Sequence, residues 1–128
     1  MTQIANIVVK DSANVDKTFV AYQPQAGTDP ALWLLTDTTN PRVYWPRLNM
    51  RANRSSKAGS LVRRQKVDIV IPFFNTLGEK IGEAAFHGEL LIADNTPVQV
   101  HKDLCTYIKG IYAAPLTQDS MLTMSAII

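Results

Sequence analysis

The chain has 128 residues, the size of one compact domain, and 46% of them are hydrophobic, which is enough to build a core. Its formal net charge is only +2, and no apolar run approaches the roughly 20 residues of a membrane-spanning helix, so the bulk numbers indicate no membrane partner. The N-terminus lacks a signal-peptide pattern, and the single cysteine, Cys105, excludes an internal disulfide, so we expect a protein of a reducing cytoplasm.

The first part of the chain predicts a β-hairpin followed by a third short strand. Residues 4–10 are apolar and β-branched, residues 11–14 favour a turn, and residues 17–22 favour a second strand. Residues 23–30 are predicted as a loop, and residues 31–36 as an apolar strand that contains Trp33. We expect Trp33 to pack in the core, whereas the sequence leaves Trp45 open between packing and stacking on a ligand.

Three later segments, at residues 47–52, 62–71 and 85–92, alternate apolar and polar side chains. This period of two predicts strands of a sheet with one buried and one polar face. Residues 53–60 between the first two segments are predicted as a flexible basic loop, and residues 75–83 as a polar loop. Pro46 cannot donate to a strand ladder, so its strand must begin there, bulge there or lie at an edge.

Basic residues are concentrated between Arg42 and Lys66, a stretch that holds eight of the 13 Lys and Arg and no acidic residue. Such a cluster is typical of a phosphate-binding surface, although a solvated strand face is the alternative. Alternation predicts that the cluster is divided. The polar sheet face takes Arg47, Arg51, Arg64 and Lys66, the loop takes Arg54 and Lys57, and Arg63 points the other way or lies near the loop.

The end of the chain predicts two helices. Residues 95–97 (NTP) form a helix cap, and the apolar spacing of Val100, Leu104, Tyr107, Ile108 and Ile111 predicts an amphipathic helix that Pro115 ends. A second, shorter helix is predicted from Thr117, with apolar positions Met121, Leu122, Met124 and Ile128. A terminus with this many apolar residues is expected to be buried, either against the chain's own sheet or against a partner.

Catalytic and cofactor motifs are absent from the sequence. His101 and Cys105 have the spacing of two metal ligands, but two ligands do not close a site, so we predict no metal and no cofactor. His87 and Glu89 share a strand face and could serve a small enzyme. They suit a nucleic-acid surface better, because an imidazole can stack on a base and a carboxylate can accept from an exocyclic amine; Asn49 and Asn53 add amide groups beside them.

Read in order, these segments resemble the coat proteins of single-stranded RNA bacteriophages over nearly the whole chain. The resemblance rests on IVVKD and KTFVAYQ, on ALWLLT with its tryptophan, and on NMRANRSSKAGSLVRRQKVDIVIP, which ends at Pro72. It continues through GELLIA, DNTP and KDLCTYIKGIY. The match lies in the order and spacing of these motifs.

The resemblance implies an α+β fold with an N-terminal β-hairpin, a five-stranded antiparallel sheet and two C-terminal helices. Two subunits would form an intertwined homodimer with a continuous ten-stranded sheet, each covering its partner's sheet with its helices. Dimers would build an icosahedral shell around single-stranded genomic RNA, and the polar sheet face would bind an RNA hairpin that controls translation and packaging. The protein would then be a structural protein of the virion, assembled in the bacterial cytoplasm, and not an enzyme.

Carried over position by position, the resemblance implies eight RNA-facing residues. They are Arg47, Asn49, Arg51 and Asn53 on one strand, Arg64 and Lys66 on the next, and His87 and Glu89 on the last. The sequence departs from the family pattern at several places. Ala85 stands where a stacking tyrosine is expected, Asp68 replaces a basic residue, the loop at 54–61 is longer, the loop at 75–83 is shorter, and Pro46 is unexpected. A dimeric RNA-binding regulator that does not assemble is the alternative function.

Overall fold

The computed structural model describes residues 3–27, 29–57 and 60–126, with the side chains of residues 53–61 excepted. The described elements follow the order of strands first and helices last. They are β1 (Ile7–Lys10), β2 (Asp16–Gln23), β3 (Ala31–Leu35), a 3-10 turn (Arg42–Tyr44), β4 (Arg47–Lys57), β5 (Ser60–Phe74), β6 (Lys80–Ala93), α1 (Val98–Ala113) and α2 (Pro115–Thr123). The chain divides into two compact units, one ending at Leu91 and the other beginning at Ile92.

All six strands form a single antiparallel sheet in the order β1-β2-β3-β4-β5-β6. Each strand therefore lies beside its neighbour in the chain, which short connections favour. The expected N-terminal hairpin, antiparallel sheet and two C-terminal helices are confirmed, with the hairpin strands forming one continuous sheet with the rest.

The core of the sheet unit lies on one face of β3 and β4. Trp33 is 7% exposed, Leu48 lies opposite it at 5%, and Ala31 lies beside them at 8%. The indole Nε1–H of Trp33 donates to the carbonyl oxygen of Ala5 at 2.7 Å, so the buried polar atom is satisfied. The prediction that Trp33 packs in the core is confirmed. Partly buried hydrophobic residues that surround this cluster are Ile4, Ile7, Phe19, Ala21, Met50, Val67 and Ile69.

The prediction of a loop at residues 53–60 is wrong, because β4 and β5 continue through most of this segment. Their antiparallel register runs from Arg47 opposite Val70 to Lys57 opposite Ser60, which leaves only positions 58 and 59 between paired residues. The segment lacks proline, so each residue can donate to the ladder, and its Ser and Lys content signals solvent exposure rather than a loop.

The loop predicted at residues 75–83 is shorter than expected, because β6 already begins at Lys80. Asn75 organises the turn: its Oδ1 accepts from the backbone N–H groups of Leu77 at 2.9 Å and Glu79 at 3.0 Å. Gly78 has a φ of +80°, a conformation that costs glycine little. Five residues, Asn75 to Glu79, therefore suffice to reverse the chain.

Pro46 lies immediately before β4, so the strand begins after it and needs no bulge. Its carbonyl oxygen accepts from the N–H of Leu35 at 2.9 Å, and the ladder then continues with Leu34 opposite Arg47. Of the three arrangements that the sequence allowed, the proline takes the one at the start of a strand.

The helical unit contains α1 and α2, separated at Ala114, whose backbone is extended. Pro115 is the first residue of α2, where its missing N–H costs nothing, so the second helix begins before the predicted Thr117. Tyr107, Ile111 and Leu122 are exposed, and no described residue of either helix is buried. The apolar helix surface is therefore uncovered in the single chain; Ile128 lies outside the described residues.

Candidate nucleic-acid interface

The polar face of the sheet is built by the register of β4 and β5. Asn49 lies opposite Asp68, and Arg51 lies opposite Lys66. Directly opposite residues in an antiparallel pair point to the same side, and every second residue along each strand joins them. One face therefore carries Arg47, Asn49 and Arg51 from β4 and Arg64, Lys66, Asp68 and Val70 from β5, while Leu48, Met50, Val67 and Ile69 lie on the other.

The third strand of this face, β6, joins it through two side-chain contacts. Arg64 Nη1 donates to Glu89 Oε1 at 3.2 Å, and His87 Nδ1 lies 2.5 Å from Asp68 Oδ1. These contacts bring His87 and Glu89 to the side of the sheet that holds the β4 and β5 residues. Asn53 is paired with Arg64 in the backbone register, but its side chain lies outside the described part of the structure.

Two cations at the centre of the face, Arg51 and Lys66, make no ion pair with a described residue. Arg51 is half-buried, and its Nε is buried without a hydrogen-bond partner among the described side chains. An unpaired buried donor is costly, and two like charges directly opposite each other repel. The centre of the face can therefore gain most from an anionic ligand such as a phosphate.

Arg47 is the first residue of β4, and its nearest charged neighbours differ from those of Arg51 and Lys66. Lys80 Nζ contacts Glu83 Oε1 at 2.5 Å. The hydrogen bond and charge of Lys80, with a smaller attraction from Arg47, hold the pKa of Glu83 below its usual value. Arg47 and Lys80 are therefore both attracted to the Glu83 carboxylate, whereas Arg51 and Lys66 have no such acidic neighbour among the described residues.

Gln25 supports the face from the loop between β2 and β3. Its side-chain amide donates to the Ala52 carbonyl at 2.8 Å and accepts from the Ala52 N–H at 2.9 Å. Ladder pairing between β3 and β4 ends at Met50, so this amide replaces the missing strand and holds the backbone between Arg51 and Asn53. Sequence reasoning missed this contact, because a glutamine in a predicted loop carries no signal for a strand partner.

Other members of the basic cluster lie away from this face. Arg42 belongs to the 3-10 turn, and its guanidinium lies 4.1 Å from the ring centre of Tyr22, a cation–π contact. Arg63 is opposite Arg54 in the register, hence on the other side from Arg64, which confirms its predicted direction. Trp45 donates its Nε1–H to the Asn40 carbonyl at 2.9 Å and is half-buried, so it serves the local turn.

Within the described residues, no three His, Cys, Asp or Glu side chains come together as a metal site, and Cys105 is exposed. In the same part of the chain, neither helix has the length and apolar character needed to cross a bilayer.

Comparisons with protein-family models and with curated protein sequences give no match. Comparison with solved structures gives matches over almost the full length. A virus-like particle protein of Beihai levi-like virus 21 has a TM-score of 0.85 at 19% identity, covering 99% of this chain and 99% of that one. The virus-like particle protein of bacteriophage NT-214 has a TM-score of 0.83 at 19% identity, covering 99% and 100%. The bacteriophage GA capsid protein has a TM-score of 0.69 at 15% identity, covering 96% of each chain.

The order of elements, the single antiparallel sheet and the two terminal helices thus match these particle-forming proteins from end to end. The chain has the fold of single-stranded RNA phage coat proteins.

Proposed function

We propose that this protein is the coat protein of a single-stranded RNA bacteriophage, which dimerises, assembles into an icosahedral shell and binds genomic RNA on the polar face of β4–β6. The observation that carries the proposal is the fold match over 99% of the chain to proteins that form virus-like particles. In this role the protein is structural and performs no catalysis. The face would also bind an RNA hairpin for translational repression and packaging.

Homodimer formation is supported by surfaces that the single chain leaves uncovered. The last strand of the sheet, β6, has 14 residues and only one neighbour in the strand order. A long free edge normally needs a partner strand. On the face that holds the core, Ile71 and Phe73 are 48% and 47% exposed.

Helix α1 offers the complementary surface. Ile108 and Ile111 are 37% and 59% exposed along one side of it. Together the exposed apolar residues exceed what a monomer normally leaves in water. In the proposed dimer the β6 strands pair edge to edge, and each subunit's helices cover the apolar sheet face of the other.

RNA binding is supported by the arrangement of charge on the polar face. Arg51 and Lys66 are adjacent and lack acidic partners among the described residues. Asn49, beside them, adds an amide that can hydrogen-bond to bases. Phosphate contacts would supply affinity, and the neighbouring polar groups would supply sequence discrimination.

The proposal is tested by expressing the chain in bacteria and sedimenting the product. We expect large closed particles in electron micrographs that contain RNA protected from added nuclease. Leu91→Pro, in the free edge strand, removes one backbone donor and should prevent assembly while the rest of the sheet still forms. The matched control is Leu91→Ala, which keeps the backbone donor at the same position and should still assemble.

A dimeric RNA-binding regulator is the second candidate, and it has the same fold and the same polar face. It predicts dimers that bind RNA but yield no particles under any salt or protein concentration. Particles without RNA would leave the coat role intact and contradict the RNA-binding part of the proposal.

A further inference from the structure

Asp68 is the one acidic residue of β4 and β5. Its Oδ1 lies 2.5 Å from His87 Nδ1 on the neighbouring strand β6. We propose that Asp68 is a positioning residue: it holds the imidazole of His87 so that Nε2 is presented to RNA as a hydrogen-bond acceptor for the exocyclic amino group of an unpaired base. This inference rests on the proposed RNA-binding function and gives that face its base-reading part.

The geometry fixes which ring nitrogen faces the carboxylate. His87 Nδ1 is the contacting atom, and an ionised carboxylate can only accept a hydrogen bond, so the hydrogen lies on Nδ1. In the neutral imidazole this leaves a lone pair on Nε2. The His87 side chain is 68% exposed and that of Asp68 is 40% exposed, so the pair is open to a ligand.

Glu89 is less suited to this role, although it lies on the same strand face. Its Oε1 already accepts from Arg64 Nη1 at 3.2 Å, so part of its accepting capacity is used within the protein. Asp68 and Glu89 are therefore divided between two tasks. Glu89 neutralises an arginine, whereas Asp68 orients a ring whose second nitrogen remains available.

The arrangement separates the face into two parts. Arg51 and Lys66, two residue pairs further along the register and the next pair on this face, carry positive charge for phosphates that no described residue pairs. At Asn49 and Asp68, the carboxylate lowers the local positive charge and weakens phosphate binding. A position that lowers general affinity on a basic face is explained if it contributes discrimination between bases.

The acceptors define the class of base. Adenine, cytosine and guanine each present an amino group with two N–H donors at the edge of an unpaired base, and uracil is the base that lacks one. Uracil presents two carbonyl oxygens on either side of its single N–H, and these would face the lone pair of His87 Nε2. The pair should therefore favour adenine and cytosine over uracil by about threefold to tenfold, the range expected for one hydrogen bond.

The binding test uses fluorescent oligoadenylate, oligocytidylate and oligouridylate of equal length. Each is titrated with the dimeric protein, obtained either directly or by dissociating purified particles into dimers. The wild-type protein should bind the first two more tightly than the third. Asp68→Ala and His87→Ala should each abolish this preference, and the double variant should lose nothing more, since both residues act as a unit. Asp68→Asn keeps an oxygen that can accept from Nδ1–H, so it should retain more preference than Asp68→Ala.

A spectroscopic measurement separates positioning from a general effect of charge. The chain has two histidines, so ¹⁵N-histidine labelling with His101→Gln for assignment gives the ring nitrogen shifts of His87 directly. In the wild-type protein the hydrogen should lie on Nδ1, and in Asp68→Ala it should distribute between both nitrogens. Unchanged ring shifts in Asp68→Ala would overturn the proposal, as would equal preference in Asp68→Asn and Asp68→Ala.

Failure of the two proposals gives different results. If the wild-type protein binds all three RNAs equally and with strong salt dependence, the RNA-binding function stands and the assignment of Asp68 and His87 is wrong. If it binds none of them at low salt, both the RNA-binding function and the inference that rests on it are wrong.

Discussion

Asp37 holds the turn that follows β3. Its Oδ1 accepts from the backbone N–H of Thr39 at 3.0 Å and from the Thr39 hydroxyl at 2.7 Å, and Asn40 Nδ2 donates to Oδ2 at 2.5 Å. These bonds, that from Asn40 first, hold the pKa of Asp37 below its usual value. The turn also places the Asn40 carbonyl that accepts the Trp45 indole N–H, so the carboxylate indirectly fixes the approach to β4.

We therefore predict that Asp37→Ala lowers the thermal unfolding temperature at neutral pH. Because the folded pKa of Asp37 is lowered, its contribution is fully present above the unfolded value of 3.8 and is lost as the pH falls through the folded value. The difference between wild type and variant should be constant near neutrality and shrink below about pH 4. Circular dichroism melts across this range measure it.

Asp37→Asn is the matched control, because it keeps one accepting oxygen and has no charge to lose. Its unfolding temperature should lie between those of the wild type and Asp37→Ala at neutral pH. A difference between wild type and Asp37→Ala that stays the same at low pH would contradict a role for the ionised carboxylate.

For single residues, the sequence predicted directions better than partners. Alternation placed Asp68 and His87 on the polar side, and both lie there. Their contact depends on the register between β5 and β6, which alternation does not contain, because a shift of two residues keeps every side chain on its face. The sequence pattern therefore predicts His87 as a site residue but shows Asp68 only as the loss of a cation.

Among the elements, β4 and β5 show why strand ends were underestimated. Periodic apolar residues stop near Ala52, whereas backbone pairing continues to Lys57. Beyond Ala52 the apolar signal that predicts a half-buried strand is gone, but the ladder needs only backbone groups. Helices α1 and α2 were easier, since an apolar period and a proline mark them directly.

Helix α1 provides the prediction at this scale. Ile108→Asp should abolish dimers and particles, because in the proposed assembly it would place an unpaired charge against the partner's apolar sheet face, at a cost of at least about 2 kcal/mol. Ile108 is only 37% exposed in the single chain, so some loss of helix-unit packing is expected as well. Analytical ultracentrifugation of the purified protein measures the oligomeric state.

Thr106→Asp is the control on the same helix. Thr106 is exposed, and its hydroxyl donates to the Lys102 carbonyl at 3.1 Å, on the polar side of α1. The variant introduces the same charge two residues away and should still assemble. If both variants assembled equally well, the apolar side of α1 would not be an interface. If neither variant assembled, a charge on either side of α1 would prevent assembly, and the prediction of a specific apolar interface on this helix would be wrong.

At the scale of the whole molecule, the fold match shows what the sequence pattern can encode. A TM-score of 0.85 accompanies only 19% identity, so most positions differ in residue type while the elements coincide. Strand alternation, turn residues and an amphipathic helix tolerate such exchange, because each depends on the class of residue and its spacing. The chemistry of the polar face depends on individual residues, which the fold does not determine.

The distribution of charge over the molecule gives the last prediction. The net charge is only +2, so binding by total charge would be weak, and RNA affinity should depend on Arg51 and Lys66. Arg51→Ala and Lys66→Ala should each weaken binding of single-stranded RNA and lower the slope of log affinity against log salt by about 0.7 per lost phosphate contact. Fluorescence titrations at several salt concentrations measure both quantities.

Lys17→Ala removes the same charge from β2, where Lys17 Nζ lies 3.9 Å from Asp11 Oδ2, away from the β4–β6 face in the strand order. It should leave the salt slope unchanged. An equal fall in slope for Lys17→Ala would mean that RNA responds to net charge alone. A fall confined to Arg51→Ala and Lys66→Ala, in protein that still forms dimers, would instead locate the phosphate contacts on the polar face, because all three variants carry the same net charge.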